Sequence, residues 1–369
     1  MTQRIALTAR IVERFERRVQ LSTHWLRVRP APHAQGIEAF SLKVDAEPHF
    51  LNWLRDPYEN HLARLDLPEP VFGLGLDLEI IAALEPANPF DFLTEPFAAN
   101  YPFEYPQQLR KELVPYLRID RPGPWLTDWL GGLDRAPKYM IEKLGDILAA
   151  VHDRVASVGA GRPGWVDIEA LLQRGSGSPW ETAWLLTLSL RGLGLAARFT
   201  SGYRVWLSTL PDVPDAVNAH AWSEVFLPGA GWIGLDPASE LFTSEGYIPL
   251  ASAPDPLRTV PVSGYHEACG SEVTESVVVR RLVPAPTAST LGEASWNQVR
   301  ALGRRVEADL TAAGVKLTVA SGLSFVSMEY PGAPEWTTSA LGLHKRQIAE
   351  MLLPAIARHC GGGGVMHVG

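Results

Sequence analysis

Ala219-His220-Ala221-Trp222-Ser223-Glu224-Val225-Phe226-Leu227-Pro228-Gly229-Ala230-Gly231-Trp232-Ile233-Gly234-Leu235-Asp236-Pro237 is the stretch on which the reading of this chain turns. Two strand-like runs, Ala219 to Leu227 and Trp232 to Asp236, flank Pro228-Gly229-Ala230-Gly231, a connection short enough to close a hairpin. One histidine and one aspartate then lie on neighbouring strands. Across such a pair a carboxylate accepts a hydrogen bond from one imidazole nitrogen, fixes the tautomer and leaves the other nitrogen free as a base. His220 and Asp236 are therefore the candidate catalytic residues; the bland alternatives are a hydrogen-bonded histidine in a packed hairpin and an aspartate that organises the turn before Pro237.

Upstream, Ser178-Pro179-Trp180-Glu181 opens a helix expected to run to about Leu193, followed by a strand over Ala197 to Leu207. The order is helix, strand, hairpin. A helix N-terminus is where a thiolate nucleophile would be stabilised by free N–H groups and the macrodipole. Here that position carries Ser178 as N-cap, Pro179 as first helical residue and Glu181 as third, a capping box with the preferred opening residue.

Working outward, apolar residues alternate at Ile5, Leu7, Ala9 and Ile11, at Phe40, Leu42 and Val44, and at Leu74, Leu76, Leu78 and Ile80, which predicts strands and an antiparallel β domain over residues 1–87. A proline- and aromatic-rich connector with one helix, Gln107 to Leu117, fills 88–137. Leu144, Leu148, Val151 and Val155 make a helical stripe that opens the core, 138–283, a helix packed on an antiparallel sheet. After a Pro/Ala/Ser/Thr loop, Pro284 to Thr290, a small C-terminal α/β segment (284–369) is expected, with a helix at Trp296, Val299, Leu302, Val306 and Leu310, apolar runs at Val315 to Val319 and Phe325 to Met328, and a last helix from Ala340 to His359. The fold class is α+β.

The composition narrows the function classes. Of 369 residues, 46% are hydrophobic and 20% charged, the values of a packed protein, and a net charge of -8 argues against nucleic acid as a partner. Arg191 interrupts the best apolar run, so no membrane segment is expected, and the arginine-rich start lacks a signal-peptide core. Two cysteines, Cys269 and Cys360, are too few for a disulfide framework, and the expected location is the cytoplasm. Both read as small apolar residues, and His266, Glu267 and Cys269 fall short of a metal-ligand set. No metal and no cofactor are expected.

The run Gly175-Ser176-Gly177-Ser178-Pro179-Trp180-Glu181-Thr182-Ala183-Trp184-Leu185-Leu186, continued by Gly192-Leu193-Gly194-Leu195-Ala196-Ala197-Arg198-Phe199-Thr200-Ser201-Gly202-Tyr203 and then by the His220 and Asp236 motifs, resembles the bacterial transglutaminase-like family of the papain-like superfold. Arg29-Pro30-Ala31-Pro32-His33 and Asp56-Pro57 with Asn60 resemble the β domain that precedes that family's core, and Leu310 to Gly369 resembles the start of the large domain fused to it in long bacterial members, often encoded with ATP-grasp and α-helical partner proteins. The resemblance implies a Cys nucleophile, Arg and Asp where this chain has Pro179, Trp180 and Glu181, and a His where it has Tyr247. Proline offers no nucleophile, so covalent acyl transfer from a thiol is excluded at that place.

The first expectation is thus a catalytically degenerate transglutaminase-like protein that binds a peptide or protein partner, ATP-grasp or other amide-forming proteins among the candidates. Ser178, Pro179, Trp180, Trp222 and Tyr247 are its candidate ligand-binding residues. The alternative is an enzyme that uses His220 and Asp236 for non-covalent acid-base condensation or cyclisation.

Overall fold

Ile5, Leu7 and Ala9, which alternate along the first strand, are completely buried, and that alternation fixes which face of it meets the core. The computed structural model describes residues 2–159, 161, 163–208, 213–282, 293–312, 346, 347, 350 and 351. Six strands open the chain: β1 (Gln3–Val19), β2 (His24–Leu26), β3 (Ile37–Val44), β4 (Phe50–Arg55), β5 (His61–Asp66) and β6 (Val71–Leu84). β1 pairs antiparallel with β6, Leu7 opposite Ile80, and β3 extends the sheet beyond β6; β2, β5 and β4 form a second antiparallel sheet. The two sheets bury one apolar cluster that includes Leu26, Leu65, Leu76 and Leu78.

The connector carries β7 (Asn100–Tyr101), α1 (Gln107–Glu112), α2 (Val114–Leu117), α3 (Pro124–Gly132) and β8 (Lys138–Tyr139), which pairs with β7. The single helix expected from Gln107 to Leu117 is two short ones, α2 starting afresh behind Leu113 with a proline in its first turn. Pro115 supplies no N–H to continue the ladder of α1.

α4 (Met140–Arg154) buries the predicted stripe of Leu144, Leu148 and Val151. β9 (Ala156–Ser157) runs parallel to β10 (Ser176–Gly177), and α5 (Ile168–Arg174) stops at Gly175, whose φ of 68° suits glycine. Next come α6 (Pro179–Gly192), β11 (Ala197–Trp206), β12 (Ala216–Leu227), β13 (Gly231–Asp236), β14 (Leu241–Phe242) and β15 (Tyr247–Ala253). The five strands form an antiparallel sheet in the order β14-β13-β12-β11-β15. α6 lies against it: Leu185 and Leu186 share a core with Phe199, Ala221, Val225 and Leu235, and Ser223 Oγ donates to the Ala183 carbonyl at 2.7 Å. This is the α+β arrangement the sequence predicts.

The chain then returns to its start. β16 (Val262–Ser263) pairs with β2, and β17 (Ser271–Arg281) runs antiparallel along the free edge of β1, Ile5 opposite Arg281. The expected division put everything up to residue 283 in the core; the structure places these last strands in the N-terminal sheets. Tyr203, Val205, Ile248 and Leu250 of the core sheet join the N-terminal apolar cluster, and residues 1–282 belong to one compact unit.

A second unit, residues 283–332, holds α7 (Glu293–Ala312), on which Leu302 and Val306 are exposed. Of the predicted last helix, residues 346, 347, 350 and 351 are helical, with Arg346 bridging Glu350 at 2.9 Å. The loop 284–290, the runs 315–319 and 325–328, the rest of 340–359 and the glycines 361–364 lie outside the described residues, as does Cys360. No helix among the described residues is long and apolar enough to cross a membrane.

Candidate functional site

Leu235 pairs with Ser223 and His220 with Gly202, so the register of β11, β12 and β13 sets His220 and Asp236 together on the sheet. His220 Nε2 stands 2.8 Å from Asp236 Oδ2, and the two side chains are 2% and 0% exposed. Asp236 is the hub of a wider network. Its Oδ1 accepts the backbone N–H of Ala238 at 3.0 Å, and its Oδ2 also accepts the hydroxyls of Ser239 and Tyr247, each at 2.8 Å. Arg204 Nη1 lies 3.8 Å from Oδ2 and donates a short hydrogen bond to Ser239 Oγ. Burial alone would raise the Asp236 pKa; the hydrogen bonds from His220, Tyr247 and Ser239, with the charge of the imidazole, outweigh it and hold the carboxyl below its usual range. Tyr247 shifts the other way, raised by burial and by the facing carboxylate.

In the neutral imidazole a carboxylate at Nε2 keeps the hydrogen on that nitrogen, which leaves Nδ1 with the lone pair. Nδ1 is buried and has no hydrogen-bond partner among the described residues. The imidazole is oriented and polarised as a base is.

The start of α6 is closed by its own side chains. Ser178 Oγ accepts the Glu181 N–H at 3.3 Å, Glu181 Oε2 accepts the Ser178 N–H at 2.9 Å and the Ser178 hydroxyl at 3.0 Å, and Arg174 bridges Glu181 Oε1 at 2.7 Å. The predicted capping box is complete, and Pro179 is its buried first residue. Ser178→Ala should lower stability by about 1 kcal/mol, read from the urea midpoint. An unchanged midpoint would mean that the cap does not hold α6.

The remaining ligand-binding candidates are packed into the fold. Trp180 is 5% exposed, stacks edge-on against Phe199 at 4.7 Å and donates Nε1–H to the Gly164 carbonyl; Trp222, 1% exposed, packs edge-on against Tyr247 and donates to Glu224. Both rings are walls of the core. Ser178 and Pro179 are likewise closed into the helix start, and the Tyr247 hydroxyl is committed to Asp236. Cys269 lies far along the chain from this network, 3.9 Å from His266 Nδ1 in the N-terminal domain.

Ser239, Arg204 and the buried pair Arg198–Glu224 escaped the sequence reading. Asp236-Pro237-Ala238-Ser239 does carry the Asx-turn pattern that could have flagged Ser239. Arg198 and Arg204 are an even number of residues from Gly202, the position opposite His220, so period-two alternation puts them on its face.

Fold and network together define a transglutaminase-like protein. Residues 128–237 match the Transglutaminase-like superfamily and residues 7–82 the Bacterial transglutaminase-like N-terminal region, so the β domain and the core are both transglutaminase-like. Residues 267–369 match a family described as "Putative amidoligase enzyme". Uncharacterised proteins of Mycobacterium tuberculosis and Mycobacterium bovis are each 27% identical over 241 residues, covering 61% of this chain and 75% of the relative. A "Putative Cysteine Protease" from Cytophaga hutchinsonii superposes with a TM-score of 0.55 at 16% identity, over 77% of this chain and 92% of that one, which establishes a shared fold. The periplasmic domain of TgpA from Pseudomonas aeruginosa bound to ethylmercury gives a TM-score of 0.29 at 17% identity, over 62% of this chain and 89% of that one.

Proposed function

We propose that this chain is a catalytically degenerate transglutaminase-like protein that binds a peptide or protein partner beside an amide-forming activity. One observation carries the reading: the buried Nδ1 of His220 has no hydrogen-bond partner among the described residues. Pro179 at the start of α6 supplies none, and a general base without a nucleophile forfeits the acyl-enzyme step. The amidoligase-family match of residues 267–369 supports a setting of amide-bond formation, where the partner is a peptide or an amide-forming protein of the ATP-grasp kind.

The second reading, acid-base condensation or cyclisation by His220 and Asp236, is favoured by the same free lone pair and by the ionised carboxylate behind it. Access weighs against it. The His220 and Asp236 side chains are only 2% and 0% exposed.

The purified protein should show no transfer of a primary amine to a glutaminyl peptide above a no-enzyme control, and His220→Ala should leave peptide binding unchanged. Turnover that disappears in His220→Ala while the fold survives would establish the acid-base enzyme instead. Pro179→Cys should react with iodoacetamide at a rate that reports a thiolate below the usual cysteine pKa of about 8.5 if Nδ1 faces it, without restoring transfer. Measurable transfer by that variant would show that Trp180 and Tyr247 do not block the chemistry.

A further inference from the structure

Arg27 and Arg258 line a cavity of about 720 Å³, and neither guanidinium donates a hydrogen bond among the described residues. Arg27, one residue past β2, is 8% exposed, with its Nε buried and unpartnered. Its nearest carboxylate oxygen, Asp56 Oδ2, is 3.9 Å away, beyond hydrogen-bond range. Asp56 is occupied elsewhere: it accepts the N–H groups of Tyr58 and Asn60 and the Asn60 side-chain amide, each at 2.9 Å. Arg258 sits exposed on the turn Pro256–Thr259, near enough for its charge to act against that of Arg27. Asp56 offsets the charge of Arg27 without a hydrogen bond; a buried guanidinium with no hydrogen-bond acceptor is costly, and a second cation beside it adds to the cost.

The surroundings say what would relieve it. Arg27, Arg55 and Arg258 face Asp56 and Asp255 in the same lining, three positive charges against two negative, so the site is complementary to one negative charge. A flat guanidinium edge suits a carboxylate, while a dianionic phosphate would bring more charge than the site offsets and meet both aspartates. Trp25, Tyr58 and Leu257 give the cavity apolar walls. It shares Tyr58 and Asp255 with a cavity of about 550 Å³, whose lining includes Trp165, 79% exposed, so the two cavities adjoin and make a groove.

We propose that this groove, and not the buried dyad, binds an extended peptide segment, with Arg27 and Arg258 clamping a carboxylate of that segment between Trp25 and Tyr58. The proposal rests on the peptide-binding reading above and gives it a place and a chemical preference.

The test is an array of capped tetrapeptides with Glu fixed at the second position and random flanks, set against the same array with Gln. The parent protein should retain Glu peptides at least tenfold over Gln peptides, and acetate should compete better than inorganic phosphate. Arg258→Gln, on an exposed turn, should reduce that discrimination to within twofold. Arg27→Met should do the same, with circular dichroism showing that the variant is folded. Equal retention of both arrays, or discrimination that survives in both variants, would overturn the groove while leaving peptide binding intact. Better competition by phosphate would overturn the carboxylate assignment. No retention of either array would overturn the binding reading and this proposal together.

Discussion

Asp236→Ala is expected to lower folding stability by about 3–5 kcal/mol, the cost of removing one partner from a buried charged network. The side chain is wholly buried and receives His220 Nε2–H, the Tyr247 and Ser239 hydroxyls and the Ala238 N–H. Without it the imidazole N–H and the phenol lose their acceptor, and each buried unsatisfied donor costs about 1–3 kcal/mol. Asp236→Asn should be the milder variant, because one amide position still accepts while its NH2 confronts donors. The pH dependence has a definite sign. The carboxyl is held below its usual range in the folded protein, so its contribution is complete above the unfolded carboxylate pKa and is lost as pH falls through the lower folded value. Urea melts at pH 7 and near pH 3 read both effects. A loss of under 1 kcal/mol in Asp236→Ala would show that the network does not hold β13 to β12 and β15.

Local chemistry made much of this legible beforehand. Ser178, Pro179 and Glu181 state a helix start because each meets a requirement of the first turn, and α6 begins there. His220 and Asp236 could be paired because a short turn fixes which residues face across a hairpin. What stayed hidden is non-local. Ser271–Arg281 reads as a strand in isolation, but that it lies against β1, with Ile5 opposite Arg281, depends on a pairing across almost the whole chain. Aromatic identity likewise does not encode exposure: Trp180, Trp222 and Trp165 look alike in sequence, yet two are core and only the third opens to solvent. The Arg27–Arg258 pairing belongs to the same class, since β2 and the turn after β15 meet only through the fold.

Glu224 carries the other large expected effect, and its acid limb separates it from every other carboxylate near the site. It lies on β12 four residues beyond His220, its side chain 8% exposed, with Arg198 Nε at 2.6 Å, Trp222 Nε1 at 3.2 Å and His33 Nε2 at 3.8 Å. Burial works to raise its pKa, but Arg198 first and His33 next pull it down to about 2. A folded value that far below the usual 4.5 contributes about 3 kcal/mol above pH 4.5, and this is withdrawn as pH falls from there toward 2. Glu224→Gln should therefore flatten stability against pH over that interval. It should also cost about 3–5 kcal/mol at pH 7, because Arg198, stacked on Trp232 at 4.3 Å, is left as an uncompensated buried cation. Adding Arg198→Met should recover most of that loss while keeping the flat acid limb, since the apolar pair no longer needs a counter-charge. A double variant no more stable than Glu224→Gln alone would place the cost in lost packing around Trp222 and Trp232, and an acid limb as steep as the parent's would take the low pKa away from Glu224.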